Sequence, residues 1–158
     1  MTVFDKKDRP SHPSATDLAI PREAAMRGRV RVTAPDGEEV IIDLPRGERI
    51  YDGDEFGPSG KGTYFRASIL PERVAKVSFR GSDTAVVEHA LQLGYYLGNR
   101  HLEVLVEGNT VFLPLTLGAD KIEGMVRRTG LPVDVTMEDK VISPAASGYF
   151  GGEEEDEQ

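Results

Sequence analysis

The chain of 158 residues has no cysteine and no tryptophan, and its three histidines are His12, His89 and His101. Without cysteine there are no disulfides, no thiolate zinc or iron–sulfur ligands and no thiol nucleophile. A small secreted protein would more often carry bridges, so a cytoplasmic location is expected. No apolar run approaches the ~18 residues of a membrane span. The opening MTVFDKKDRPSHP has no apolar core, so a signal peptide is not expected. Basic residues are outnumbered 19 to 27, for a net charge of −8. Nucleic acid and anionic membranes both ask for a basic face, so neither is an expected partner. Five of the negative charges form one run, Glu153, Glu154, Glu155, Asp156 and Glu157, so the rest of the chain is close to neutral.

What is present reads as two domains. Residues 1–17 are polar and contain Pro10 and Pro13, which suggests a flexible arm. Val30 and Val32 alternate with arginines, Pro35-Asp36-Gly37 is a turn signal, and Val40, Ile42 and Leu44 alternate again. This predicts a hairpin over 29–44. Phe65, Ala67 and Ile69 add a further period-2 face. Short strands separated by turns predict a small all-β domain over 18–72.

Beyond Pro71 the period changes. Residues 73–79 alternate as a strand. Val86, Ala90, Leu93 and Leu97 then recur at helical spacing over 84–97, and Gly98-Asn99 is expected to end that helix. Residues 101–106 and 110–113 read as strands around a Gly108-Asn109 turn. A helix over 119–129 would turn Ile122, Met125 and Val126 inward, and a last strand spans 131–137. The order βαββαβ predicts a ferredoxin-like domain over 73–150. The fold class is therefore α+β. Residues 151–158 read as a disordered acidic tail.

Catalytic motifs fail on inspection. A phosphate loop at 57–62 would need glycine where Glu55 stands and Ser or Thr where Gly62 stands. Asp52, Asp54 and Glu55 open like a calcium loop, but the later ligands are out of register. The histidines form no HxH or HxxxH pair, no nucleophile-elbow pattern occurs, and an enzyme is not expected. The distinctive segment is Gly94-Tyr95-Tyr96-Leu97-Gly98-Asn99-Arg100-His101: two aromatics, a tight turn, then Arg and His. On pattern alone it is either a helix cap with a surface histidine or a ligand or partner site on a rigid turn.

Leu97-Gly98-Asn99-Arg100-His101 resembles the LGNRH signature of the UreE family, the urease accessory nickel chaperones. Leu44-Pro45-Arg46-Gly47 followed by Asp52-Gly53-Asp54 resembles that family's LPRG…DGD stretch. Residues 121–130 resemble the second helix of its metal-binding domain, and Ser147-Gly148-Tyr149 its closing element. The resemblance implies a cytoplasmic homodimer that joins through its C-terminal domains. It implies that His101 meets its twin across the two-fold axis to hold nickel, with zinc or copper as alternative ions in vitro. Tyr96, Asn99 and Arg100 would lie at the interface. The resemblance implies that the β-domain over 18–72 binds a protein or peptide, and the implied partners are the urease apoprotein complex and a GTPase accessory protein. The chain departs from the family pattern at three places. Tyr96 replaces the histidine that often precedes the signature leucine. Gly118 and Asp120 stand where many members have an HxH pair, leaving Asp120 as a weak oxygen ligand. Carboxylates replace a histidine-rich tail. These departures give a second expectation: a metal-poor family member acting mainly as a protein-interaction adaptor in urease maturation.

Overall fold

The computed structural model describes residues 1–9 and 12–151. The chain divides into two compact units. One comprises Met1–Pro71 with Val141–Ala145, and the other comprises Glu72–Lys140 with the segment from Ala146 onward.

The first unit contains β1 (Thr2–Phe4), β2 (Thr16–Ile20), α1 (Arg22–Arg27), β3 (Arg29–Thr33), β4 (Glu39–Asp43), β5 (Glu55–Phe56) and β6 (Phe65–Ile69). They form two three-stranded sheets, ordered β1-β4-β3 and β2-β6-β5. The expected hairpin is β3–β4, in register from Arg29 opposite Asp43 to Thr33 opposite Glu39. Period-2 alternation sends Val40, Ile42, Phe65, Ala67 and Ile69 into one core with Leu18, Ile20, Ile50 and Phe56. The single turn and a half of α1 joins β2 to β3. Pro21 precedes it, and Gly28 closes it at φ 70°, its N–H donating to the carbonyls of Ala24 and Ala25. A Cβ at position 28 would run into the carbonyl of Glu48, so glycine is required there.

The segment 1–17 is expected as a flexible arm, but among its described residues Thr2–Phe4, Asp8 and Thr16–Asp17 pair with strands of these sheets. β1 pairs in parallel with β4, β2 pairs in parallel with β6, and the Asp8 N–H donates to the Glu55 carbonyl at 2.8 Å. The physical reason is that the polar composition hides one apolar anchor. Phe4 packs on the core between the rings of Phe56 and Phe65, with centroids 6.0 and 6.1 Å away.

The second unit runs β7 (Glu72–Phe79), α2 (Asp83–Asn99), β8 (Val104–Glu107), β9 (Thr110–Pro114), α3 (Ala119–Arg128), β10 (Val133–Lys140) and β11 (Tyr149–Phe150). Its antiparallel sheet is ordered β10-β7-β9-β8-β11. The first four strands give the ferredoxin-like order, and β11 adds a fifth at the β8 edge. The helices cover a core built on Ala75, Val77, Leu113 and Val133. From α3 come Ile122, Met125 and Val126, the face expected from spacing. Each such side chain is worth roughly 1.5–3 kcal/mol when fully buried. An aspartate at Val126 would break that packing.

The last expected strand, 131–137, is β10 at Val133–Lys140, and two further boundaries differ from expectation. Gly98 and Asn99 stay helical, and α2 ends two residues later, at Asn99. The strand expected from 101 starts at Val104. In both cases the cause is that residues 100–102 are used to cap the helix. The acidic tail expected over 151–158 lies, apart from Gly151, outside the described residues.

Candidate metal-binding turn

The end of α2 is a Schellman cap with an unusual occupant. The Leu102 N–H donates to the Leu97 carbonyl at 3.2 Å, and the His101 N–H donates to the Gly98 carbonyl at 3.0 Å. These are the two bonds of that motif, and the residue between cap and strand must then be left-handed. Here it is His101, at φ 57°, the one non-glycine residue with positive φ among those described. Glycine is the usual choice, because any Cβ is strained there by roughly 1–2 kcal/mol. Leu97 is buried in the core of this unit, and partly buried Leu102 packs against that core. Packing thus holds the backbone that aims the imidazole.

His101 is exposed, and among the described residues no hydrogen bond or ion pair engages its ring. It stands at the wall of a cleft of about 620 Å³. Val86 and Ala90 of α2, Val104 and Val106 of β8, Val111 of β9 and Phe150 of β11 make this cleft mostly apolar. Gly94 and Gly98 also line it, and a Cβ at either would meet no other atom within 4 Å. The helix therefore presents bare backbone to the cleft. The expected inward face of α2 is divided accordingly: Leu93 and Leu97 are buried, while Val86 and Ala90 look into the cleft.

The other residues singled out from sequence lie elsewhere on the helix end. Tyr96, Asn99 and Arg100 line a second hollow of about 280 Å³ with Tyr95, Thr129 and Leu131. The Arg100 guanidinium stacks on the Tyr96 ring at 3.7 Å. Asp120 is exposed in the first turn of α3, where the helix dipole favours an acid, and it lines neither hollow. His89 is half-buried on α2, and its Nδ1 has no hydrogen-bond partner among the described residues. No cluster of three or more His, Asp or Glu that could hold a metal occurs among the described residues.

His12, which falls in the segment expected as a flexible arm, is firmly built in. Its Nε2 lies 2.9 Å from Asp8 Oδ2, and its ring stacks on Tyr64 at 3.6 Å between centroids. Its N–H donates to Glu55 Oε1, and its carbonyl accepts from Arg66 Nη2 at 2.8 Å. Arg66 also donates to Glu55 Oε2, at 3.0 Å through Nη2 and 3.2 Å through Nε, and Glu55 is only 3% exposed. The backbone N–H of Arg9 and then the His12 side chain hold the Asp8 carboxyl below the ordinary aspartate range. The signal available in sequence was the Asp8/His12 spacing of four. The cleft walls Val106 and Phe150 were also missed, because nothing local ties residue 150 to β8.

Fold and site together define a class: a two-unit α+β protein whose distinctive chemical group is an accessible imidazole on a fixed turn beside an apolar cleft. The family model described as "UreE urease accessory protein, N-terminal domain" matches residues 4–58. The urease accessory protein UreE of Ralstonia nicotianae is 36% identical over 139 residues, covering 87% of this chain and 60% of that protein. The UreE of Alkalilimnicola ehrlichii is 32% identical over 147 residues, covering 88% of this chain and 78% of that protein. That of Nitrosococcus oceani is 28% identical over 153 residues, covering 96% and 84%. The chain spans about three-fifths of the Ralstonia relative and more than three-quarters of the Alkalilimnicola one. The chain belongs to the UreE family of urease accessory proteins, a family of accessory chaperones and not of enzymes.

Proposed function

We propose that this chain is a cytoplasmic nickel chaperone of urease maturation, working as a homodimer in which two copies of His101 share one ion. Nickel is its cargo. The observation that carries the reading is the turn itself: a strained left-handed histidine, locked by the cap of α2, with its ring unengaged. Neutral imidazole is a good ligand for Ni²⁺, which stands high in the divalent affinity order. One imidazole is a poor site, but an isologous two-fold interface brings in a second without further sequence.

The apolar cleft beside His101 supplies the surface for that interface. Exposed Val106 and Phe150, with the bare helix backbone at Gly94 and Gly98, allow close approach of a second copy. Tyr96, Asn99 and Arg100 would stand at its rim. Two protein imidazoles leave several coordination positions to water or a recipient's ligands, so the ion can be passed on. Asp120 is at most an auxiliary oxygen ligand. The recipients are the urease apoprotein complex and its GTPase accessory protein, and the β-rich first unit is the surface offered to them.

Nickel titration calorimetry on the full chain, with light scattering on the same samples, tests this. The expected result is a dimer binding one ion, with binding lost in His101→Ala. A monomer, or full nickel affinity in the variant, would overturn it. A dimer that binds no nickel would leave the adaptor role in urease maturation.

A further inference from the structure

The chain does not stay in its second unit once it has entered it. It leaves after Lys140, gives Val141–Ala145 to the first unit, and returns at Ala146. Within that segment Ile142 is fully buried and Pro144 is buried, while Val141 and Ala145 are exposed. Alternate residues thus anchor the segment, and Pro144 stiffens it by fixing its own φ. The return leads into β11, which is only two residues long. So short a strand has little hold of its own on the β8 edge. Its attachments to β8 and to the residue before it are identifiable. The Val106 N–H donates to the Gly148 carbonyl at 2.8 Å, and the Tyr149 hydroxyl donates to Glu103 Oε2 at 2.6 Å. A Cβ at position 148 would run into the Val106 carbonyl, so the two backbones lie in close contact.

What β11 carries is the cleft beside His101. Phe150 and Val106 are both exposed and both line it. Glu103, which the Tyr149 hydroxyl holds, stands two residues beyond His101. We propose that Val141–Ala145 is a strap by which the first unit holds β11 on β8, so that withdrawing Ile142 from its buried place releases the cleft wall. The device rests on the reading of that cleft as the place where His101 meets its ion and its twin. Given that reading, a partner that grips the first unit and draws out the strap alters the surface around the metal-binding turn without touching it. Engagement at one unit is felt at the other through the chain itself.

Amide hydrogen exchange on the full, nickel-free chain tests the strap apart from the metal. The reporter is the Val106 N–H, whose bond to Gly148 is lost when β11 lifts. Ile142→Ala should quicken its exchange by about tenfold, with the Val77 amide of β7 and the Val126 amide of α3 as controls in the same unit. Because that substitution also removes buried packing, a second variant keeps Ile142 and adds slack instead. Two glycines are inserted between Ala145 and Ala146, which doubles the two-residue step from Pro144 to Ala146. The added freedom should raise Val106 exchange about threefold and leave Val77 and Val126 unchanged. An unchanged Val106 rate in either variant would overturn the proposal. So would a rise in the insertion variant that Val77 and Val126 share, because the unit as a whole would then have loosened. Exchange is read without metal, so failure of the strap and failure of the nickel reading are seen separately.

Discussion

His12 and His101 are the same side chain in opposite conditions. The His12 ring is spent: a carboxylate sits on one nitrogen, a tyrosine covers its face, and its backbone is tied to Glu55 and Arg66. The His101 ring is engaged by nothing, while its backbone is held in a conformation that histidine does not favour. In one case the fold uses the imidazole to fasten a chain segment. In the other it uses a helix cap to display one. What makes a histidine available to a metal is therefore the employment of its ring nitrogens, not its presence in the sequence.

The sharpest way to break this comparison is to remove each ring in turn. His101→Asn keeps a residue that tolerates left-handed backbone. It should weaken nickel binding by more than ~100-fold, or about 2.7 kcal/mol, by calorimetry. His12→Asn should leave that affinity unchanged. Next in size is the support under His12. Arg66→Ala removes the partner of nearly buried Glu55 and a donor to the His12 carbonyl, and should destabilise the fold by about 2 kcal/mol in denaturant titration. Smaller, and opposite in sign, is His101→Gly. It relieves the left-handed strain and should raise stability by up to ~1 kcal/mol, offset in part by the freedom glycine gains when unfolded.

The smallest effect is a pH dependence confined to the His12 side. The Asp8 carboxyl is held below its ordinary value, so its contribution is fully present above that value and is lost as pH falls through the lowered one. Hydrogen exchange at the Asp8 and His12 amides should therefore quicken on acidification below the ordinary aspartate range, before exchange at the end of α2 does. Equal acceleration at both places would show that Asp8 does not fasten the segment.

Much of this architecture was legible where a period was long enough. The alternation at 29–44 and 65–69 and the helical spacing in α3 each report one buried face, and a face is what a period encodes. The LGNRH segment was legible as a signature, but its mechanics were not. Gly98 and Asn99 look like a helix stop, yet they remain helical, and the bonds from the Leu102 and His101 N–H groups to the Leu97 and Gly98 carbonyls put His101 in the left-handed position. The anchoring of residues 2–9 and of His12 was hidden for a related reason. One phenylalanine and one histidine do the fastening, and a single residue has no period. The cleft wall at Phe150 depends on β11 pairing with β8 across more than forty residues, a link no local pattern carries.

The central claim is that the cap of α2 exists to hold a ligand, so that backbone comfort and metal binding oppose each other at one residue. Measuring both on His101→Gly tests it most directly, with thermal or denaturant unfolding and nickel titration calorimetry run on the same sample. The account predicts a chain that is at least as stable as the original and no longer binds nickel. A glycine variant that keeps its nickel affinity would contradict it, whatever its stability.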